Sequence, residues 1–131
     1  GFDIERKSSY TDLVTEADHA VQETVVETIA AEFPGDGFLA EEDDLRPEGE
    51  DRVWVIDPID GTTNFAHGFP YYCTSIALQV DGEPVVGVVN RPPQEELFTA
   101  VRGGGASLNG TPIKVSGVDD LRDGLIAARL T

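Results

Sequence analysis

The longest regular pattern of apolar and polar positions is helical and covers residues 15–33. Apolar side chains recur there every four residues, at Ala17, Val21, Val25 and Ile29. That spacing places them on one face of an amphipathic helix. Thr15 is a suitable N-cap and Pro34-Gly35 is a stop signal, so the pattern predicts a helix that begins after Thr15 and ends before Pro34.

Shorter apolar runs follow the predicted helix and have the character of strands. The strand candidates are residues 37–40, 53–56, 74–80, 85–90 and 96–101. Asp81-Gly82 joins two of them and is typical of a β-hairpin turn. Residues 41–51 form an acidic loop in this interpretation, and residues 102–105 form a turn before the segment 106–115. One helix followed by adjacent antiparallel strands predicts an α+β fold.

The charge of the chain excludes two classes of partner. It carries 25 acidic and nine basic residues in 131, a net charge of -16, which predicts repulsion from nucleic acid and from anionic membranes. The acids are spread along the whole chain and lysine is scarce, as is typical of proteins from a salt-loaded cytoplasm. No apolar run reaches membrane-spanning length and no secretory signal is present, so we expect a cytoplasmic protein.

The single cysteine, Cys73, lies in an apolar stretch at residues 72–80. It has no second cysteine with which to form an internal disulfide, which agrees with a reducing compartment. No motif surrounds it, and we expect a small core side chain.

Two aspartates stand at the end of an apolar run in the segment WVIDPIDGTTNF, residues 54–65. Asp57 and Asp60 would repel each other unless a cation lay between them, and hard ions such as Mg²⁺ prefer oxygen ligands. The spacing therefore favours a metal site, to which the carbonyl of Ile59 can contribute. The alternative is Asp60 as the N-cap of a helix that starts at Gly61, with Asp57 in an ordinary turn.

The residues after the two aspartates suit an anion. Gly61-Thr62-Thr63-Asn64 can present backbone N–H groups at the start of a helix, and Thr62 adds a hydroxyl group. Taken alone, the segment is an ordinary turn. Beside metal ligands it favours phosphoryl chemistry.

Glu41 and Glu42 follow the apolar residues of the strand candidate 37–40. If that strand pairs with 53–56, Glu41 stands beside Asp57 and can bridge metals. The alternative is a solvated acidic loop.

Asp18 lies three and seven residues before Val21 and Val25 and so points along the apolar face of the predicted helix. An inward acid must be paired, metal-bound or hydrogen-bonded. The alternative is a capping box with Thr15.

These motifs occur in an order that resembles the inositol monophosphatase family of magnesium-dependent, lithium-sensitive phosphatases, which are relatives of fructose-1,6-bisphosphatase. The resemblance covers residues 5–117, and its most specific part is residues 54–65. The matching stretches are Lys7, DLVTEAD at 12–18, AEE at 40–42, WVIDPIDGTTNF at 54–65 and GASLNG at 105–110. It implies a helix on a mainly antiparallel β-sheet, the N-terminal half of the layered sugar-phosphatase fold.

The resemblance also implies a site that binds two Mg²⁺ ions. Glu41, Asp57 and the carbonyl of Ile59 would hold one ion, and Asp57 and Asp60 would contribute to the second. Two such ions activate a water molecule and stabilise the leaving alkoxide during in-line attack on phosphorus.

The remaining residues of the implied site act on the water and the phosphate. Thr62, supported by Asp18, would orient and deprotonate the attacking water. The N–H groups of Gly61 and Thr62 would hold the phosphate, and Glu42, a further catalytic residue, and Lys7 would lie near the metals.

The resemblance implies a small-molecule phosphate ester, inositol monophosphate or a related sugar phosphate, as substrate, and a homodimer as an assembly state. Complete family members have a C-terminal half that supplies another aspartate, so we expect residues 1–131 to form an N-terminal metal- and phosphate-binding domain with an incomplete active site. The alternatives are a non-catalytic metal-binding or folding fragment and a fructose-1,6-bisphosphatase-type enzyme. A calcium-binding module is disfavoured because no loop has the required spacing of acids.

Overall fold

The computed structural model of the chain describes residues 4–40 and 51–127, and for residues 4–11 the backbone alone. Two helices and seven strands account for most of these residues. In chain order they are α1 (Ile4–Glu32), β1 (Gly37–Ala40), β2 (Arg52–Asp60), α2 (Thr62–Ala66), β3 (Cys73–Val80), β4 (Glu83–Arg91), β5 (Glu96–Val101), β6 (Gly105–Leu108) and β7 (Thr111–Ile113). Among the described residues, no helix is long and apolar enough to cross a membrane.

The seven strands form one sheet whose spatial order is the order of the chain, from β1 to β7. β1 pairs with β2 in parallel, and each later pair is antiparallel. The helix α1 contacts β2 on one face of this sheet. The α+β prediction and the helix on a mainly antiparallel sheet are confirmed.

The helix α1 begins at Ile4, eleven residues before the predicted N-cap. Thr15 is therefore an interior helical residue, and the capping-box interpretation of Asp18 is wrong. Residues 4–14 contain no proline or glycine to interrupt a helix, and Leu13 in this part is exposed. The helix extends there without an apolar stripe to reveal it.

The hydrophobic core lies where the C-terminal half of α1 covers β1 and β2. Phe38 and Ala40 of β1 and Ile56 of β2 are buried, with Ile56 only 2% exposed. Against them pack residues of α1 and of the neighbouring strands: Val25, Val26, Ile29, Ala30, Trp54 and Ile76. Successive residues of a strand point to opposite faces. Trp54 and Ile56 point to the face that α1 covers, so Val53, Val55 and Asp57 point to the opposite face of β2.

Asp36 joins the end of α1 to the start of β2. Its carboxylate accepts hydrogen bonds from Arg52 Nε at 2.8 Å, from Arg52 Nη2 at 3.1 Å and from Trp54 Nε1 at 2.8 Å. Phe33 lies against the same two partners, with its ring 5.8 Å from that of Trp54 and 5.5 Å from the Arg52 guanidinium carbon. Burial raises the pKa of Asp36, but the bonds from Arg52 and Trp54 and the Arg52 charge outweigh it and hold the pKa below 3.8.

We expect Asp36→Asn to lower the free energy of unfolding by about 1 kcal/mol near neutral pH, because it removes charge-assisted hydrogen bonds from Arg52, whose side chain is 44% exposed and therefore screened by solvent. The folded-state pKa lies below the unfolded value, so this stability is present above about pH 4 and is lost as the pH falls through the folded-state pKa. Urea unfolding at a series of pH values measures the difference between the two proteins. Exposed Asp119→Asn is the control, and a difference that stays constant down to about pH 2 would contradict the assignment.

The turn between β3 and β4 has the predicted hairpin geometry. Asp81 and Gly82 adopt φ values of 52° and 80°, and Val80 pairs with Glu83 across them. Two consecutive residues with positive φ make a type I′ turn, whose twist matches that of paired strands. The hairpin prediction is confirmed.

Candidate active site

A β-bulge in β2 brings Asp57 and Asp60 to the same face of the sheet. Asp57 pairs with Ser75 and Asp60 pairs with Cys73, so three steps along β2 match two steps along β3. Residues three apart in a regular strand point to opposite faces, and the extra residue of a bulge reverses this. The two carboxylates therefore share the face that α1 does not cover.

In the bulge Pro58 and Ile59 together stand opposite the single residue Thr74, and neither has a partner in the ladder between β2 and β3. The Thr74 hydroxyl donates to the carbonyl of Pro58 at 2.8 Å and satisfies it. Both side chains are buried, which holds the bulge in place. Proline suits this position because no ladder N–H is needed there.

The strand β1 ends at Ala40, which pairs with Ile56, one residue before Asp57. The two strands pair, which was the condition for Glu41 to stand beside Asp57. Glu41 and Glu42, which follow Ala40, lie outside the described residues.

The residues after the bulge form a short helix. α2 begins at Thr62, and its N-cap is Gly61 with φ of 98° and no side-chain capping bond. The interpretation of Asp60 as an N-cap is therefore wrong, because the chain turns at Gly61 instead. A Cβ atom at Gly61 would lie 3.0 Å from the carbonyl oxygen of Tyr71, so this turn requires glycine.

Asp18 is buried on α1, with 6% of its surface exposed. The chain reverses at residues 33–36, so β1 and β2 run back along α1. Asp18 precedes the core residue Val25 by about 11 Å along the helix, and Asp60 follows the core residue Ile56 by roughly 13 Å along β2. α1 also contacts α2, which places Asp18 at the level of the turn after β2. Lys7 lies in the same helix, and its side chain is outside the described part.

Gln22 lies one helical turn after Asp18 and is equally buried. Its Oε1 atom accepts no hydrogen bond from the residues that the structure describes. The burial of Asp18 agrees with its predicted place on the apolar face of the helix, whereas the burial of Gln22 was not expected from the four-residue apolar spacing.

A cavity of about 360 Å³ opens beside Asp60. Its lining residues are Asp60, Gly61, Asn64, Tyr71, Tyr72, Cys73 and Arg91. Asn64 Nδ2 donates to the carbonyl of Tyr71 at 2.7 Å, and the Phe65 and Tyr72 rings meet edge to face at 5.1 Å. These contacts tie the segment after α2 to the helix and shape the cavity wall.

Three cavity residues lie in one row across adjacent strands. Asp60 of β2 pairs with Cys73 of β3, and Thr74 pairs with Asn90 of β4, so that Cys73 and Arg91 are the next residues of these two antiparallel strands. Side chains at directly opposed positions share a face. We call Asp60, Cys73 and Arg91 the cross-strand row.

Cys73 is half-buried in this row and does not lie in the core as expected. Burial raises the pKa of its thiol, and the charges of Asp60 and Asp57 raise it further. Arg91 acts in the opposite direction. The thiol therefore lies within electrostatic reach of both carboxylates and of the guanidinium group.

The inositol monophosphatase family model matches residues 1–131. The chain belongs to the inositol monophosphatase family. Inositol monophosphatase from Dictyostelium discoideum is 47% identical over 122 residues, which are 91% of this chain and 45% of that protein. Histidinol-phosphatase from Chlorobaculum parvum is 50% identical over 105 residues, 80% of this chain and 40% of that protein.

The fold agrees with this family. The crystal structure of extragenic suppressor protein suhB from Bartonella henselae superposes with a TM-score of 0.81 at 38% identity, over 90% of this chain and 50% of that chain. The chain thus spans about half the length of these inositol monophosphatase family relatives or less.

The structure brings together some residues of the inositol monophosphatase motif. Asp57, Ile59, Asp60, Gly61 and Thr62 follow one another at the end of β2. Sequence reasoning did not single out Arg91, because its place beside Asp60 depends on the register of three strands. The Asp81-Gly82 turn alone would place Asn90 opposite Cys73, and the register shift between Leu78 and Gln79 moves Arg91 there instead, so the turn signal in the sequence does not lead to Arg91.

Proposed function

We propose that the chain carries the metal- and phosphate-binding part of a Mg²⁺-dependent phosphomonoesterase. The observation that supports it best is the bulge, which places Asp57 and Asp60 on one face directly before Gly61 and Thr62. The names of the two relatives, inositol monophosphatase and histidinol-phosphatase, both denote hydrolysis of a phosphate ester. They differ in the alcohol that carries the phosphate. We therefore propose phosphate esters of small polar alcohols as the substrate class, with inositol monophosphate or a related sugar phosphate as the first candidate.

The donor set fits Mg²⁺. Asp57 Oδ1 is buried, and a second carboxylate shares its face. Within residues 4–40 and 51–127, no three acidic, histidine or cysteine side chains form a complete metal cluster. One or two carboxylates, completed by water and substrate phosphate, are the usual protein share of a Mg²⁺ shell, and the carbonyl of Ile59 and the carboxylate of Glu41 would add to it.

Mg²⁺ bound there supplies positive charge beside the phosphate ester and the two carboxylates. The residues of the chain do the positioning. The N–H groups of Gly61 and Thr62 would hold phosphate oxygens, and the Thr62 hydroxyl, with Asp18 behind it, would orient the attacking water and take part in its deprotonation. Glu42 and Lys7 complete the proposed site, and the homodimer implied by the resemblance stays a prediction.

Calorimetric titration of the 131-residue chain with Mg²⁺ tests this proposal, followed by phosphate release from inositol 1-phosphate in the same samples. High salt is needed because it shortens the range of the acidic surface field to about 3 Å at 1 M. We expect saturable binding, with phosphate release that depends on Mg²⁺. Binding without release supports the non-catalytic metal-binding fragment, and no binding contradicts the metal site.

A further inference from the structure

We infer that the cavity between Asp60 and Arg91 receives a second anionic group of the substrate, a carboxylate or phosphate carried by the alcohol that the ester releases. The inference deepens the proposed function and rests on it, since Asp60 and Gly61 form both the phosphate end of the cavity and the proposed metal site. The opposite end is formed by Arg91. Among the proposed phosphate esters of small polar alcohols, the inference favours those whose alcohol carries a second negative group over inositol monophosphate, whose alcohol carries none.

The cross-strand row sets the distance between the two ends. Neighbouring strands are about 4.8 Å apart, so the Cα atoms of Asp60 and Arg91 are separated by roughly 10 Å. Cys73 lies between Asp60 and Arg91 in the row, and its side chain is small enough to leave space for a ligand between the two ends. A cavity of about 360 Å³ falls within the range that accepts small ligands.

Arg91 is held in position without using all its donors. Its Nη1 atom donates to Glu96 Oε2 at 2.7 Å, and both side chains are 29% exposed. Its guanidinium carbon lies 5.5 Å from the centre of the Tyr71 ring. Among the described residues, Glu96 is the one hydrogen-bond acceptor for this side chain, and a guanidinium group has five N–H donors in a planar fork. The remaining donors suit a carboxylate or phosphate.

A cation that lines a cavity is unusual in a chain as acidic as this one. The chain has a net charge of -16, and a general surface of that kind repels anions. Of the described residues that line the cavity, Arg91 is the one cation. Arg91 lines the cavity together with Cys73, and its charge lowers the pKa of the Cys73 thiol. A substrate with a second anionic group would therefore be oriented with that group at Arg91 and with its phosphate at the proposed metal site beside Asp60.

The side chain of Cys73 provides a direct measure of occupancy. It is the single cysteine of the chain, it lines the cavity, and its alkylation by iodoacetamide can be followed by mass spectrometry. The probes are 3-phosphoglycerate and glycerol 3-phosphate, which have the same phosphate and nearly the same size and differ by a carboxylate. Inorganic phosphate is the third probe and distinguishes a free anion from an anion attached to the ester.

With Mg²⁺ present, we expect 3-phosphoglycerate to protect Cys73 at a midpoint concentration about tenfold lower than glycerol 3-phosphate, because one charge-assisted contact is added. In Arg91→Gln the two midpoints should coincide. Arg102→Gln is the control for loss of an arginine, since Arg102 donates to Glu83 at 3.0 Å in a more exposed arginine–glutamate pair away from the cavity, and it should keep the tenfold difference. Each protein is compared with itself without probe, because loss of Arg91 also changes the reactivity of the thiol.

Equal midpoints in the original chain, or a tenfold difference that persists in Arg91→Gln, would overturn the inference. Protection by inorganic phosphate at the midpoint of 3-phosphoglycerate would overturn it too, because the cavity then takes a free anion. If no probe protects Cys73 while Mg²⁺ still binds, the inference is wrong and the metal site stands. Protection that requires Arg91 and not Mg²⁺ supports the anion site and counts against the proposed metal.

Discussion

Replacing Asp57 with asparagine should weaken Mg²⁺ binding at least about tenfold, because one of the proposed carboxylate donors becomes a neutral amide. Phosphate release from inositol 1-phosphate should fall about thousandfold, since the loss of a bound metal removes several kcal/mol of charge stabilisation in the transition state. The bulge gives the reason for the size of the effect. It is the feature that directs Asp57 to the face shared with Asp60, and no nearby described acid can take its place.

Asp81→Asn is the matched control for this change. It removes the same charge, and Asp81 lies in the β3–β4 turn with φ of 52°, where Asn-Gly is as favourable as Asp-Gly. Mg²⁺ calorimetry and the phosphate assay on both variants separate a site effect from a general loss of negative charge. Equal Mg²⁺ affinity in Asp57→Asn and in the original chain would show that the metal binds elsewhere or not at all.

Gly61→Ala should lower the free energy of unfolding by about 3 kcal/mol, the sum of a left-handed backbone penalty and a steric clash. The φ of 98° is unfavourable for any residue with a Cβ atom. The new methyl group would lie 3.0 Å from the Tyr71 carbonyl oxygen and 3.3 Å from Tyr72 Cα. These are backbone atoms that cannot move aside without displacing the start of β3.

Urea unfolding followed by Trp54 fluorescence measures this loss, which should also lower Tm by roughly 10 °C. Gly35→Ala is the control, because a Cβ atom there meets nothing within 4 Å and the φ is not positive. It should change stability by less than about 1 kcal/mol and in the stabilising direction. Similar losses in the two variants would indicate a general sensitivity to alanine and would refute the role given to the turn at Gly61.

The strands were largely predictable from the sequence, because their apolar runs end at strong turn signals. The run before Asp81-Gly82 and the run after it pair as expected, and residues 96–101 form β5 with the predicted bounds. The start of α1 was not predictable in the same way. Its first eleven residues carry no apolar stripe, and helix propensity is a weak guide without one.

In the candidate site, too, the local features were predictable from the sequence and the features that depend on strand register were not. Asp57, Asp60 and Gly61 stand out locally because their spacing has a chemical reason. The sequence does not reveal that β2 continues through Pro58 to Asp60, since proline within an apolar run usually ends a strand. The approach of Arg91 to Asp60 is less accessible still, because it requires the register of three strands and two register shifts, one in each strand pair.

The arrangement of the sheet in chain order has a consequence for how the protein folds. From β2 onward each strand pairs with the strand that precedes it in the chain, and from β3 onward the connections are only two to four residues long. Closing short loops costs little chain entropy, and such local topologies fold faster than those built from distant pairings. The sheet can therefore grow strand by strand as the chain leaves the ribosome, with α1 already available to cover the first two strands.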